Sequence, residues 1–315
     1  MKRREFIALV GGAAAWPVLA PAQQSTFPVV GFLSPRAPND AQQFTAAFRQ
    51  GLKDTGFVEG QNLSIEYRFA NNQIEQLPAL AADLVNRKVA VIAAAPTQAA
   101  LAAKAATSTI PIIFEIGFDP VQLGLVASLN RPGGNLTGVT QLNDEIAPKR
   151  LQLLHELIPT ATALALLVSP ADPEVAKIRT EVTMSAARTL GLKLHVLQAS
   201  SERDFESVFA SLVQLRAGGL VIGGGAFLSS RTKLLGELAV RYAVPAIHES
   251  RDFVSAGGLI GYGGNITDTY RLAGVYTGRV LKGEKPADMP VQQVTKVELY
   301  INLKSAKALG IGVPL

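Results

Sequence analysis

The sequence predicts an α/β protein of two Rossmann-like lobes, each a parallel sheet flanked by helices, joined by a three-strand hinge. Three observations carry this. From Phe27 onward, short apolar runs alternate strictly with helical periods, the pattern of parallel sheets covered on both faces. The series is written twice. Ser34-Pro35-Arg36-Ala37-Pro38 recurs 135 residues on as Ser169-Pro170-Ala171-Asp172-Pro173, and Val91-Ile92 before three alanines recurs 130 on as Val221-Ile222 before three glycines. Pro111–Glu115 returns 134 on as Pro245–Glu249. Finally, a strand, a helix and a last strand follow the second series, as in a chain that goes from one lobe to the other, back, and over again. Such a hinge permits bending closure around a ligand.

The first series runs as strand Pro28–Leu33, then helix Asp40–Thr55 with Phe44, Ala47, Phe48 and Leu52 on one face, Asn39 as N-cap and Gly56 as stop. Strand Leu63–Phe69, helix Ile74–Arg87, strand Val89–Ala94 and an Ala-rich helix Gln98–Thr107 follow. Strand Pro111–Glu115 leads to Asp119-Pro120, where the Asp caps and the Pro at N1 opens a helix to about Leu129. Arg131–Asn135 is turn chemistry and Leu136–Thr140 a further strand. The second series reads helix 148–157, strand 163–168, helix 173–190, strand 193–198, helix 202–216, strand 219–223, helix 230–243 and strand 245–248. The tail adds strand 257–263, helix 267–282, strand 297–301 and helix 303–309.

The chain has 315 residues, 48% of them hydrophobic and 17% charged, enough to bury a sizeable core and unlike a disordered chain. Its net charge is +5, of which Lys2, Arg3, Arg4 and Glu5 supply +2. With no basic cluster elsewhere and only 6% aromatics, a nucleic-acid partner is not expected. The absence of cysteine excludes disulfides, thiolate metal sites, cysteine nucleophiles and a lipid-modified N-terminal cysteine.

A basic start precedes an apolar run from Phe6 to about Ala20, shorter than the ~20 residues that span a bilayer. Ala20-Pro21-Ala22 is a small-residue cleavage pattern, and Arg3-Arg4-x-Phe6-Ile7 resembles a twin-arginine export signal. Residues 1–22 are therefore read as an export signal, and the mature chain as a soluble periplasmic protein. The first lobe is expected over 27–142 plus 258–287, the second over 143–257 plus 288–315.

Chemistry that demands catalysis is missing. His155, His195 and His248 show no metal spacing, and no H-E-x-x-H, G-x-S-x-G or Walker A pattern occurs. Gly223-Gly224-Gly225 lacks the G-x-G-x-x-G spacing of a dinucleotide cradle. Neither a metal nor a cofactor is expected. The architecture offers a cleft instead, because ligands of open parallel sheets sit beyond the carboxyl ends of the strands. Candidate ligand-binding residues at those ends are Ser34, Arg36, Asn39, Thr97, Gln98, Phe118, Asp119, Ser169, Ala226, Glu249 and, after a hinge strand, Tyr262. Arg36 suits a carboxylate, Asp119 or Glu249 an ammonium, the hydroxyls of Ser34, Thr97 and Ser169 polar groups, and Phe118 and Tyr262 an apolar side group. Ser34, Thr97, Ser169 and Asp119 equally suit capping of their own helices.

Four segments carry a resemblance: Gly56–Leu63 leading to Glu66-Tyr67-Arg68, Asp119-Pro120-Val121 with Gly124–Val139, Lys285–Val291, and Ile301–Gly310. Together they resemble the substrate-binding proteins of ABC importers, in the family that includes tryptophan and other aromatic amino-acid binders. The resemblance spans about Pro28 to Pro314. It implies a type I periplasmic-binding fold, no catalysis, and delivery of a small polar or zwitterionic ligand, such as an aromatic amino acid or related carboxylate, to an inner-membrane ABC permease with its separate ATPase. A monomer is expected. Ser169-Pro170 stands where the family often has Asn-Pro, and Ala94-Ala95-Pro96 where glycine is frequent, which leaves the ligand open. Alternative readings are a ligand-sensing module for a membrane receptor and a periplasmic enzyme.

Overall fold

The computed structural model describes residues 27–141, 145–171 and 173–313; the export signal expected over 1–22 lies outside them. The first series comprises β1 (Val29–Ser34), α1 (Gln42–Asp54), β2 (Ser64–Phe69), α2 (Leu77–Asn86), β3 (Val91–Ala94), α3 (Thr97–Ala106), β4 (Ile112–Ile116) and β5 (Leu136–Thr140). The second comprises α4 (Ala147–Leu157), β6 (Ala163–Val168), α5 (Pro173–Thr189), β7 (Lys193–Gln198), α6 (Arg203–Gln214), β8 (Leu220–Ile222), α7 (Ala226–Ser230), α8 (Thr232–Arg241), β9 (Ala246–His248), α9 (Arg251–Ser255) and β10 (Ile260–Gly264). The tail is α10 (Ile266–Leu281), β11 (Gln292–Gln293), β12 (Val297–Ile301) and α11 (Leu303–Ala308).

Two six-stranded sheets result, ordered β11-β5-β4-β3-β1-β2 and β12-β10-β9-β8-β6-β7. All pairs are parallel except β10 with β12. In each lobe the opening strand sits between the second and the third, β1 between β2 and β3, β6 between β7 and β8. The internal sequence match is thus a match of topology. Helices cover both faces of each sheet, and β4 and β6 are buried at every residue, apolar but for Glu115 in β4.

Helix α1 buries Phe44, Phe48 and Leu52, spaced four apart, against the β1 face. Each such side chain contributes roughly 1.5–3 kcal/mol. Its other contact is α10, which returns from the second lobe. A Cβ on Gly51 would lie 1.8 Å from the Arg271 carbonyl oxygen, and one on Gly274 would lie 2.1 Å from that of Phe48. Glycines on both helices therefore bring the two backbones together, which anchors α10 to the first lobe although its preceding strand belongs to the second.

The stretch from 258 was assigned to the first lobe, but β10 pairs with β9 and β12 in the second sheet. Leu259 and Ile260 enter that lobe's core, and Gly258 and Gly263 pass so close to the Phe253 ring and the Glu249 carbonyl that no Cβ would fit. Conversely, β11 pairs with β5 in the first sheet, tied by Val291 N–H to Leu129 O at 2.7 Å and Val294 N–H to Thr140 O at 2.8 Å. The chain thus crosses between the sheets after β5, after β10 and after β11. The helix expected over 119–129 is a run of turns instead. Gly124 adopts φ +64°, which interrupts a right-handed helix, and Leu125 and Val126 turn into the core.

Candidate functional site

The carboxyl ends of β1, β3 and β4 face those of β6, β8 and β9 across a narrow pocket. Arg36 enters it two residues after β1, its backbone N–H donated to Ser34 Oγ at 3.3 Å. The side chain is 2% exposed. Its guanidinium lies over the Phe44 ring at 4.6 Å and donates through Nη1 to the Ala226 carbonyl of the opposite lobe at 3.3 Å. Nε has no hydrogen-bond partner, and no carboxylate pairs with this cation among the described residues. A buried charge left so is costly.

Glu115, near the end of β4, is also buried. Burial pushes its carboxyl up to about 7, helped by Glu249 and opposed by the Thr269 hydroxyl and by Arg36. Thr269 Oγ1 lies 3.0 Å from Glu115 Oε1 and accepts from Gln141 Nε2 at 3.0 Å. Gln141 stands where the chain first leaves the first lobe, so the crossing segment is tied to the pocket wall.

The second lobe presents Glu249 after β9, with Ser229 Oγ at 3.3 Å from Oε1 and Arg150 Nη2 at 3.7 Å from Oε2. Burial pushes this carboxyl up, but Arg150, His248 and Arg179 outweigh it and hold it below the usual range. Arg150 is itself fixed by donating Nε to the Tyr262 carbonyl at 2.7 Å. Arg179, buried on α5, reaches back across the cleft, its guanidinium 5.7 Å from the Phe118 ring centre. A Cβ on Gly224 would lie 3.1 Å from both Arg179 Nη2 and Glu249 Oε2. The glycine run admits these two side chains rather than cradling a phosphate.

His248 is fully buried and pushed down to about 4 by burial. Its Nδ1 accepts the Ser250 N–H at 3.1 Å, and Ser250 Oγ caps α9 by accepting from Phe253 N–H. The His–Ser pair is therefore a turn device and not a nucleophile with its base. No group of three or more metal-ligating side chains occurs among the described residues.

Of the sequence-predicted residues, Arg36, Thr97, Gln98, Phe118 and Glu249 line this one pocket. Ser34 and Ala226 brace Arg36. Four are not brought in. Asn39 is exposed and does not cap, because a single turn of 3-10 helix over Asn39–Ala41 precedes α1. Asp119 Oδ1 accepts from Val121 N–H at 2.7 Å and serves the turn. Ser169 is buried outside the pocket lining, and Tyr262 packs with the second core. Sequence reasoning did not single out Glu115, Gln141, Arg179 or Ser229. A signal existed for Glu115 alone: the repeat aligns it with Glu249.

Between the charged groups the pocket leaves about 40 Å³. An apolar groove of about 280 Å³ opens from it, walled by both lobes and sharing Thr97, Gln98, Phe118 and Val175 with the pocket. At the rim, Arg231 of the second lobe pairs with Asp40 of the first at 3.0 Å and also with Glu202.

Comparison with known proteins agrees with this architecture. The family model "ABC transporter substrate binding protein" matches residues 39–314. A tyrosine-binding protein of Clostridioides difficile is 28% identical over 264 residues, 84% of this chain and 75% of that protein. The crystal structure of an ABC domain in complex with L-Trp from Streptococcus pneumoniae superposes with a TM-score of 0.81 at 23% identity, covering 92% of this chain and 96% of that one. The ligand-free, open structure of a substrate binding protein with adhesive properties from Clostridium difficile reaches 0.65 at 24% identity, covering 91% and 96%. These two-lobed neighbours share the fold of type I periplasmic binding proteins, and the family binds solutes rather than transforming them. With that fold and a family match over most of its length, the chain belongs to the ABC transporter substrate-binding proteins.

Proposed function

We propose that this protein is the exported receptor of an ABC import system and that it closes its lobes on a small polar or zwitterionic ligand, an aromatic amino acid or related carboxylate. Arg36 holds the ligand carboxylate, and Glu115 with Glu249 receives its ammonium. The observation that carries this reading is the buried, unpaired Arg36 guanidinium, whose burial an incoming anion would offset. An aromatic side group is favoured by the tyrosine-binding relative and by the L-Trp complex with a related fold. Closure by hinge bending is supported by the contacts of Arg36 and Arg231 across the cleft. The better superposition on the L-Trp complex than on the open, ligand-free structure points the same way. No helix among the described residues is long and apolar enough to cross a membrane. In this reading the receptor hands its ligand to a separate permease in the inner membrane, as the family match supports.

Titration calorimetry on residues 23–315 with tyrosine, tryptophan and phenylalanine tests the proposal. Saturable binding of at least one unmodified amino acid is expected. Binding that survives removal of the ligand's carboxylate, as in tyramine for tyrosine, would overturn the role of Arg36, and silence across the panel would overturn the ligand class.

A further inference from the structure

We infer that the apolar groove is a second subsite, open at its outer end, and that the ligand class is an amino or carboxylic acid bearing an apolar tail longer than one aromatic ring. This rests on the receptor reading above and deepens it.

The charged pocket leaves about 40 Å³, and one water-sized position takes roughly 10–15 Å³, so the pocket holds an acid and amine head and nothing more. Every further ligand atom must leave it. The groove shares the wall formed by Thr97, Gln98, Phe118 and Val175 and is therefore continuous with the pocket. Its chemistry beyond that wall is apolar, with Leu77 and Leu101 from the first lobe facing Ile178 from the second. The volume of about 280 Å³ approaches the lower end of the ~300–1,000 Å³ range of pockets that enclose ligands larger than an amino acid. Because both lobes wall the groove, a tail lying in it is buried by closure and favours the closed form. That couples tail length to affinity.

The test is a calorimetric series with phenylalanine, tryptophan and 4-phenylphenylalanine on residues 23–315. A buried methylene is worth roughly fourfold in affinity, from ~0.8 kcal/mol each, so 4-phenylphenylalanine is expected to bind at least tenfold tighter than phenylalanine. Weaker binding of the longer amino acid, with phenylalanine still bound, overturns this inference and leaves the receptor reading standing. Loss of all three overturns both. Two variants, Leu101→Glu and Ile178→Glu, place a charge on opposite walls, so misfolding of one leaves the other informative. Each is expected to bring the affinity ratio of the two ligands towards one, and a ratio unchanged in a folded variant overturns the assignment of the groove.

Discussion

Glu115 and Glu249 end the matched strands of the two lobes and meet at one pocket, yet their carboxyls are pushed in opposite directions. Glu115 is raised to about 7, whereas Glu249 is held below its ordinary range. Burial acts on both. The difference lies in the cations: Arg150 Nη2 stands 3.7 Å from Glu249, whereas Arg36 acts on Glu115 through space without pairing with it. The first lobe thus brings a carboxyl able to give up a proton near neutrality, and the second a fixed anion.

Capture of an ammonium beside Glu115 should therefore release protons. At pH 7 a carboxyl with a pKa of about 7 is half protonated, and a bound cation favours its charged form. Binding enthalpies measured in phosphate and in Tris are expected to differ in proportion to about half a proton released. Glu115→Gln should remove the buffer dependence. Identical enthalpies for the wild type in both buffers would contradict this role.

Stability should depend on pH through two opposed groups. Glu115 is raised from 4.5 to about 7, so the native state binds the extra proton and stability falls as pH rises from 4.5 to 7. His248 is lowered from 6.5 to about 4, so the unfolded state binds the extra proton and stability rises between pH 4 and 6.5. Over 4.5–6.5 the two slopes offset each other in the wild type. Thermal melts of Glu115→Gln should show Tm rising with pH in that window, and those of His248→Asn should show it falling. Parallel profiles for the two variants would refute the assignment.

Arg36→Gln separates binding from folding. Losing a charge-assisted contact of about 1.5–3 kcal/mol should weaken carboxylate ligands ten- to a hundredfold. Removing a buried cation that lacks an ion pair should raise, not lower, the Tm without ligand. A variant that melts earlier and binds normally would assign Arg36 to the scaffold.

The rim pair tests closure. Arg231 and Asp40 are part-exposed, with side-chain exposures of 22% and 24%, so their attraction is worth no more than about 1 kcal/mol. Asp40→Asn should speed ligand release up to about fivefold, and high salt should have the same effect on the wild type. Stopped-flow release rates that are unchanged by both would place the pair outside the closing motion.

Much of the architecture was legible because it is local. Phe44, Phe48 and Leu52 announce the core face of α1, and the 130- to 135-residue offsets announce two lobes. Arg36, Phe118 and Glu249 could be placed at strand ends, and strand ends face the cleft. Arg179 could not, because it lies within a seventeen-residue helix and only the pitch of that helix aims it inward. Asp119 and Tyr262 show the complementary limit: proximity to a strand end does not say whether a side chain serves its own turn or core, as these two do, or the space beyond.

The sequence by itself determined most of the alternation of strands and helices, the doubling of the unit and the absence of thiol chemistry, since periodicity, turn residues and composition act over a few residues. Tertiary structure decided which sheet receives β10 and β11. It also decided which of the pocket's charges has a partner: Arg150, in a different helix, sits beside Glu249, while no carboxylate of the described residues is placed to pair with Arg36. These outcomes depend on close approach between separate segments of the chain, where a missing Cβ or a difference of an ångström settles the energy.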